Sequence, residues 1–221
     1  MNKKYEVFDW DSFLQPYELA VEGFLLKMEG IKKQYLVKGI HCPIEIVSGR
    51  VKTPESIMNK AERMNVNIPE VHDIGGVRIT CKYLEDVYQV AKLLKSRKDI
   101  KLIEERDYIK NVKPSGYRSL HLICRYNVET IEGQQPILLE FQIRTHAMHF
   151  WASIEHSIKY KYNKKIPSTI KERLVNASMA AATLDKEMSA IHQEMLKIDE
   201  NCDTEIIHGD PMENEVFLKK Y

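Results

Sequence analysis

This chain has no closely spaced cysteines, no apolar run of membrane length and no large excess of charge of one sign. Each absence removes a class of function. The four cysteines, Cys42, Cys81, Cys124 and Cys202, are scattered without a C-x-x-C pair, so reduced thiols in a cytoplasmic setting are expected. The first ten residues are polar and charged, with no secretory signal, and no segment is apolar enough over its length to read as a membrane span. A net charge of +1 argues against a binder of bulk polyanions but allows a local basic pocket. No G-x-x-x-x-G-K-[ST] string occurs, which excludes a P-loop enzyme. No repeat, low-complexity tract or Gly/Ser linker divides the 221 residues. One domain over residues 1–200 is therefore expected, followed by a polar tail at 201–221. With 43% hydrophobic and 29% charged residues, the composition is that of an ordinary globular protein.

Two helical patterns bracket the chain. Trp10, Phe13, Tyr17, Val21, Phe24, Met28, Ile31 and Tyr35 recur every three or four residues, predicting an amphipathic helix within 10–40. Near the other end, Pro167-Ser168 opens a helix over 168–200. Its apolar positions, Ile170, Leu174, Ala177, Ala181, Leu184, Met188, Ile191, Met195 and Ile198, step alternately by four and three. That heptad seam packs either on its own domain or on another subunit.

Between them lies a mixed core at 45–165. Thr53 caps and Pro54 begins a helix to about Met64. Residues 77–83 alternate as a strand after a Gly75-Gly76 turn. Residues 84–97 read as a helix, 100–107 and 118–126 as strands, 133–136 as a turn and 137–144 as a strand. Residues 146–160 form a helix whose apolar bulk comes from Phe150, Trp151, Ile154 and Ile158. The sum is an α+β fold with a sheet of about five strands.

Chemistry concentrates in three places. Residues 137–144 alternate Ile137, Leu139, Phe141 and Ile143 with Glu140, Gln142 and Arg144, a row that is either a solvated sheet surface or the floor of a site. Arg78 occupies the polar face of another strand and Asp73 precedes it, so Asp73 and Glu140 can meet over one sheet face among cations. Two acids among bases is the arrangement that Mg²⁺-assisted phosphoryl chemistry needs: oxygen ligands hold the ion, and cations neutralise phosphate. The second cluster is Arg50 and Lys52 at a helix mouth, with Ser56, Lys60 and Arg63 on one face of that helix; it is either a solvated basic face or a polyphosphate grip. The third is the loop 110–121, where Tyr117 offers a ring to a base, and Lys113 and His121 offer charge to phosphate.

The strings G-R-V-K at 49–52, D-I-G-G-V-R-I at 73–79, S-G-Y-R-S-L-H at 115–121 and E-F-Q-I-R-T at 140–145, in this order, resemble the synthetase domain of the RelA/SpoT homologue family. A-M-H-F-W-A-S-I-E-H at 147–156 and Y-K-Y at 160–162 look like its continuation. The likeness covers about residues 10–195, with no hydrolase domain before it and no regulatory domain after it, as in single-domain small alarmone synthetases. The resemblance implies a nucleotidyltransferase-like fold and transfer of the β,γ-pyrophosphate of ATP to the 3′ hydroxyl of GDP or GTP. By the same resemblance Asp73 holds Mg²⁺, and Glu140 shares it or acts as base. Arg50, Lys52, Ser56, Lys60, Arg63 and Arg78 bind ATP, with Arg50 and Arg78 sandwiching adenine or meeting phosphate. Lys113, Tyr117, His121, Gln142, Arg144 and His149 serve the guanine nucleotide, and a homotetramer is implied.

Two departures from that pattern involve three positions. His149 stands where some single-domain relatives carry Asn. Leu25 and Glu29, with Lys32 retained, stand where product-activated relatives carry further basic residues, which implies weak or no product activation. Other readings are the same fold with an adenine nucleotide or tRNA end as acceptor, and a non-catalytic nucleotide- or RNA-binding regulator. His146 and His149, one helical turn apart, are open to a transition metal or to a nucleotide contact beside a surface residue. Low net charge disfavours tRNA, RNA binding is not part of the main reading, and a binder has no need of both acids.

Overall fold

The computed structural model describes residues 8–161 and 166–208; Tyr162 of the Y-K-Y string and residues 209–221 of the expected tail lie outside them. The elements run α1 (Trp10–Val37), β1 (Ile46–Val51), α2 (Pro54–Met64), β2 (Gly75–Cys81), α3 (Leu84–Lys95), β3 (Ile100–Asp107), β4 (Leu120–Thr130), β5 (Gly133–Thr145), α4 (His146–Lys161) and α5 (Ser168–His208). The five strands form one mixed sheet in the order β1-β2-β5-β4-β3, with β2 and β5 parallel and the other neighbours antiparallel. The fold is α+β, as the sequence pattern predicts.

Period-two alternation divides the sheet into two faces. Leu139, Phe141 and Ile143 of β5 are 0% exposed and join Val77, Ile79, Leu120 and Leu122 in one apolar face. Tyr17, Val21, Phe24 and Met28 of α1 and Val87, Val90 and Leu94 of α3 fill the same core, with the Phe24 ring 5.0 Å from Phe141. The opposite face carries the polar row and remains available for a site.

α1 approaches β1 closely enough to require glycine. A Cβ at Gly49 would collide with Val21 Cγ1. Gly49→Ala should therefore lower stability by about 1–3 kcal/mol, the usual cost of overpacking. Thermal unfolding checks this, and an unchanged Tm would mean that α1 is not seated on β1.

Several local expectations are corrected. Gly75 and Gly76 are not a turn but the first two residues of β2, paired with Val51 and Arg50. β1 was not foreseen: its six residues show a burial pattern without clean alternation. The segment 133–136 is strand rather than turn. Thr130 pairs with Gly133 across Ile131 and Glu132, and Gly133 takes φ +103°, a conformation glycine adopts at little cost. In α4, Trp151 is 5% exposed, but Phe150 is 71% and Ile154 44% exposed; Met148 and Ala152 face inward instead. α5 turns its apolar seam outward: Leu184, Met188 and Ile191 are 52%, 41% and 51% exposed, while Ser178, Asp185 and Ser189 are buried. The helix also runs on to His208, past the expected end.

Candidate active site

Sheet register brings the predicted residues together in two rows. One row runs Arg50, Gly76, Glu140 across β1, β2 and β5. The next runs Ser48, Arg78, Gln142, His121 and Arg106 across all five strands. Gly76 has no side chain, and a Cβ there would meet nothing nearer than the Glu140 carbonyl at 3.8 Å. The floor between Arg50 and Glu140 is thus open to a ligand. Glu140 and Arg144 are only 7% and 3% exposed, which removes the alternative of a solvated sheet surface.

Over this floor lies a cleft with two lobes. The first is lined by Arg50, Lys52, Asp73, Gly76, Arg78 and Glu140. Both acids therefore face one space. The second is lined by Tyr117, Arg144, Ala152, Ser153, Glu155 and His156 and shares Arg50, Arg78 and Gln142 with the first.

Asp73 stands just before β2, between two ammonium groups. Lys52 Nζ donates to its Oδ2 at 2.7 Å and to its backbone carbonyl at 2.9 Å, and Lys60 Nζ lies 2.7 Å from Oδ1. Burial would raise the Asp73 carboxyl, but the hydrogen bonds and charges of the two lysines outweigh it and hold the group below its ordinary value. Burial also lowers the Lys52 ammonium, with Arg50 and Lys60 adding to the effect against the pull of Asp73.

Glu140 belongs to a closed hydrogen-bond ring. Arg144 donates to the Tyr117 hydroxyl at 3.1 Å and to Gln142 Oε1. Gln142 Nε2 donates to Glu140 Oε2 at 2.7 Å. His121 links the remaining pair, with Nδ1 2.9 Å from Glu140 Oε1 and Nε2 2.8 Å from the Tyr117 hydroxyl. Only one assignment satisfies every atom of a neutral ring: Tyr117 donates to Nε2, and Nδ1–H donates to Glu140. Burial pushes the Tyr117 hydroxyl up, so it keeps the proton it donates. Burial would also raise Glu140, but His121 and Gln142 outweigh that and the nearby Asp73 charge, and the carboxyl stays below its ordinary value. Both acids are held ionised, as hard oxygen ligands for a cation such as Mg²⁺ require.

Other donors in the cleft await partners. Arg78 Nε and Arg144 Nε are buried without a hydrogen bond, as is His149 Nδ1. Burial lowers both guanidinium groups, which nonetheless remain charged. His149 is kept below its usual pKa by burial first and then by the charges of Arg78, Arg144 and His146. Two fixed cations with idle N–H groups suit an anion or a flat ring. Lys113 Nζ lies 4.1 Å from the ring centroid of Tyr108 and 5.0 Å from that of Tyr117, outside the lining of either lobe.

The gathering is incomplete. Ser56 is used in the cap of α2, accepting from Thr53 Oγ1 at 3.0 Å, and Arg63 is exposed in its last turn; neither lines the first lobe. His146 is exposed, unlike the buried nitrogen of His149, so the two rings do not share one environment. Sequence reasoning missed Ser48, Ala152, Ser153, Glu155 and His156 among the lining residues. The spacing 149, 152, 153, 156 marks one helix face and was readable, but the larger apolar residues of α4 drew the assignment to the other side.

Residues 49–165 match the family described as "Region found in RelA / SpoT proteins". Over 189 residues the chain is 47% identical to the GTP pyrophosphokinase YjbM of Bacillus subtilis (strain 168), covering 84% of this chain and 90% of that protein. The crystal structure of small alarmone synthetase 1 from B. subtilis bound to its product pppGpp superposes with a TM-score of 0.82 at 47% identity, over 84% of this chain and 97% of that one. The structure of the same B. subtilis enzyme bound to AMPCPP gives 0.76 at 42% identity, over 85% and 98%.

Proposed function

This chain belongs to the RelA/SpoT family, and on that premise we propose how its cleft works as a (p)ppGpp synthetase. It is a GTP pyrophosphokinase, moving the β,γ-pyrophosphate of ATP to the 3′ hydroxyl of GDP or GTP. The observation that carries the site reading is that two ionised carboxylates, Asp73 and Glu140, line one lobe whose cationic wall, Arg50 and Arg78, is shared with a second lobe. Donor and acceptor can then meet at the shared wall.

In this reading ATP occupies the first lobe. Lys52 and Lys60 turn from Asp73 toward the polyphosphate, Arg50 and Arg78 clasp adenine or phosphate, Arg78 with its unpaired Nε, and Ser56 and Arg63 are outer contacts. Asp73 would hold Mg²⁺, with Glu140 sharing it or acting as base; when bound, the ion would neutralise charge on the transferring group. The guanine nucleotide stacks on Tyr117 in the second lobe, with Lys113, His121, Gln142, Arg144 and His149 around its phosphates and base. The 3′ oxygen attacks the β-phosphorus, the bond from that phosphorus to the oxygen of the α-phosphate breaks, and AMP leaves. The 3′ hydroxyl proton passes to Glu140, which His121 and Gln142 orient. Positioning and charge neutralisation supply most of the acceleration.

We place the catalytic domain in residues 1–200, in the cytoplasm; among the described residues no helix is long and apolar enough to cross a membrane. The outward apolar seam of α5 supports a homo-oligomer, a tetramer in our reading. Incubation with Mg²⁺, ATP and GDP or GTP, followed by nucleotide separation, tests the function. AMP and ppGpp or pppGpp should accumulate together; transfer only to an adenine nucleotide or to tRNA would replace this acceptor.

Tyr117 has two separable roles. Tyr117→Ala removes the stacking ring and should raise KM for the acceptor about 5- to 150-fold, since stacking on an aromatic contributes about 1–3 kcal/mol, with KM for ATP little changed. Tyr117→Phe keeps the ring and breaks the hydrogen-bond circuit, so kcat should fall while acceptor KM holds. Equal behaviour of the two variants would remove the distinction.

A further inference from the structure

α5 packs half-buried Leu174, Val175, Ala181 and Ala182 near its start, but its fully buried side chains are polar. Ser178 and Asp185, one heptad apart and so on one face, are 3% and 6% exposed. Burying such groups in place of an available apolar seam is unfavourable unless every polar atom finds a partner. Those partners flank Tyr117 and Arg144, two residues that line the second lobe. Ser178 Oγ donates to the Gly116 carbonyl and accepts from the Arg118 guanidinium. Arg118 also donates to the Ser178 carbonyl at 3.1 Å and to the Gly116 carbonyl at 3.3 Å. Gly116 itself has φ +91°, and a Cβ there would come within 2.7 Å of Ser178 Cβ. The residue between Gly116 and Arg118 is Tyr117.

Two turns further along α5, Asp185 Oδ2 accepts from Thr145 Oγ1 at 2.8 Å, and Thr145 Oγ1 in turn accepts from the Met148 amide at 3.2 Å. Thr145 thereby caps α4, the helix that supplies Ala152, Ser153 and His156 to the lobe. The residue before Thr145 is Arg144. No residue of α5 lines either lobe, so its contacts act on the second through Tyr117, Arg144 and the start of α4.

We propose that Ser178 and Asp185 are positioning residues for the acceptor nucleotide: one face of α5 fixes the Tyr117 loop and the start of α4. The inference rests on the reading of the second lobe as the GDP/GTP site. Burial pushes the Asp185 carboxyl up to about 6, against the Thr145 hydrogen bond and the charges of Arg118 and His146 that face it. Its protonation state therefore changes just below neutral pH.

The test is steady-state kinetics on the full chain, varying GTP and ATP separately, with binding of a fluorescent guanine nucleotide as a second readout. Ser178→Ala should raise KM for GTP and weaken guanine-nucleotide binding about fivefold, the worth of a hydrogen bond of ordinary strength, while KM for ATP stays within about twofold. Asp185→Ala should act in the same direction. Asp185→Asn keeps an acceptor for Thr145 and should retain near-normal KM for GTP while flattening its dependence on pH between 5 and 7, the range set by a carboxyl at about 6. Unchanged GTP KM in both alanine variants, or equal changes for GTP and ATP, overturns the proposal. If Ser178→Ala does not fold, the Asp185 pair decides. Failure of the unmodified protein to use GDP or GTP would instead overturn the function reading itself.

Discussion

Glu140→Gln should leave ATP binding nearly intact and lower turnover by about a hundred- to ten-thousandfold, the range a general base contributes. The carboxylate accepts from His121 on one oxygen and from Gln142 on the other. A glutamine can satisfy only one of those donors, because its amide nitrogen faces the second, so the substitution removes the base and opens the ring at once. ATP binding is spared because the first lobe grips with Arg50, Lys52 and Arg78, and losing one negative charge does not weaken a hold on polyphosphate. Glu140→Asp keeps the charge but draws it back from both donors and should give an intermediate loss. The depressed Glu140 carboxyl stays ionised through neutral pH, so the acid limb of the rate profile should fall below the ordinary glutamate range. Synthesis at the normal rate by Glu140→Gln would remove Glu140 from the mechanism. Rapid-quench measurement of AMP, beside equilibrium binding of a non-hydrolysable ATP analogue, separates the two effects.

Asp73→Asn should reduce synthesis about a hundred- to a thousandfold, as loss of a preorganised charge does, and destabilise the protein as well. Without the carboxylate, Lys52 and Lys60, with side chains 14% and 23% exposed, face each other unpaired. An uncompensated, partly buried cation pair costs about 1–3 kcal/mol, below the range for fully buried pairs. The sign with pH follows from the lowered pKa. Asp73 contributes stability above the ordinary aspartate value of 3.8 and loses it as pH falls through its depressed value. Unfolding curves of the two proteins should therefore differ fully at pH 7 and converge in acid. In the rate assay, raising Mg²⁺ should not restore the variant. A normal Mg²⁺ dependence in Asp73→Asn would assign the ion to other groups.

Much of this was legible because it is local. The alternation at 137–144 records which side of β5 faces the core, since side chains on a strand change face at every residue. Thr53-Pro54 marks the start of α2 because the cap, Ser56 N to Thr53 Oγ1 at 3.4 Å, spans three residues. The motif strings located Asp73, Tyr117 and Glu140 without any knowledge of their neighbours. β1 escaped notice because Ser48, Gly49 and Arg50 interrupt its apolar residues, and its strand character comes from pairing with β2 rather than from its own pattern.

The α+β class and the helix and strand periods are readable along the chain, as are the candidate site side chains, because these depend on residues within a few positions of one another. Tertiary structure alone decided that Gly76 opens the floor between Arg50 and Glu140, that Arg144, Tyr117, His121, Glu140 and Gln142 close into a ring, and that α5 buries serine and aspartate while exposing leucine and methionine. Each of these is set by register or hydrogen bonding between segments far apart in the chain. Hydrophobic periodicity is blind to such pairing: it reports that a helix has an apolar side but not whether its own domain is the surface that covers it.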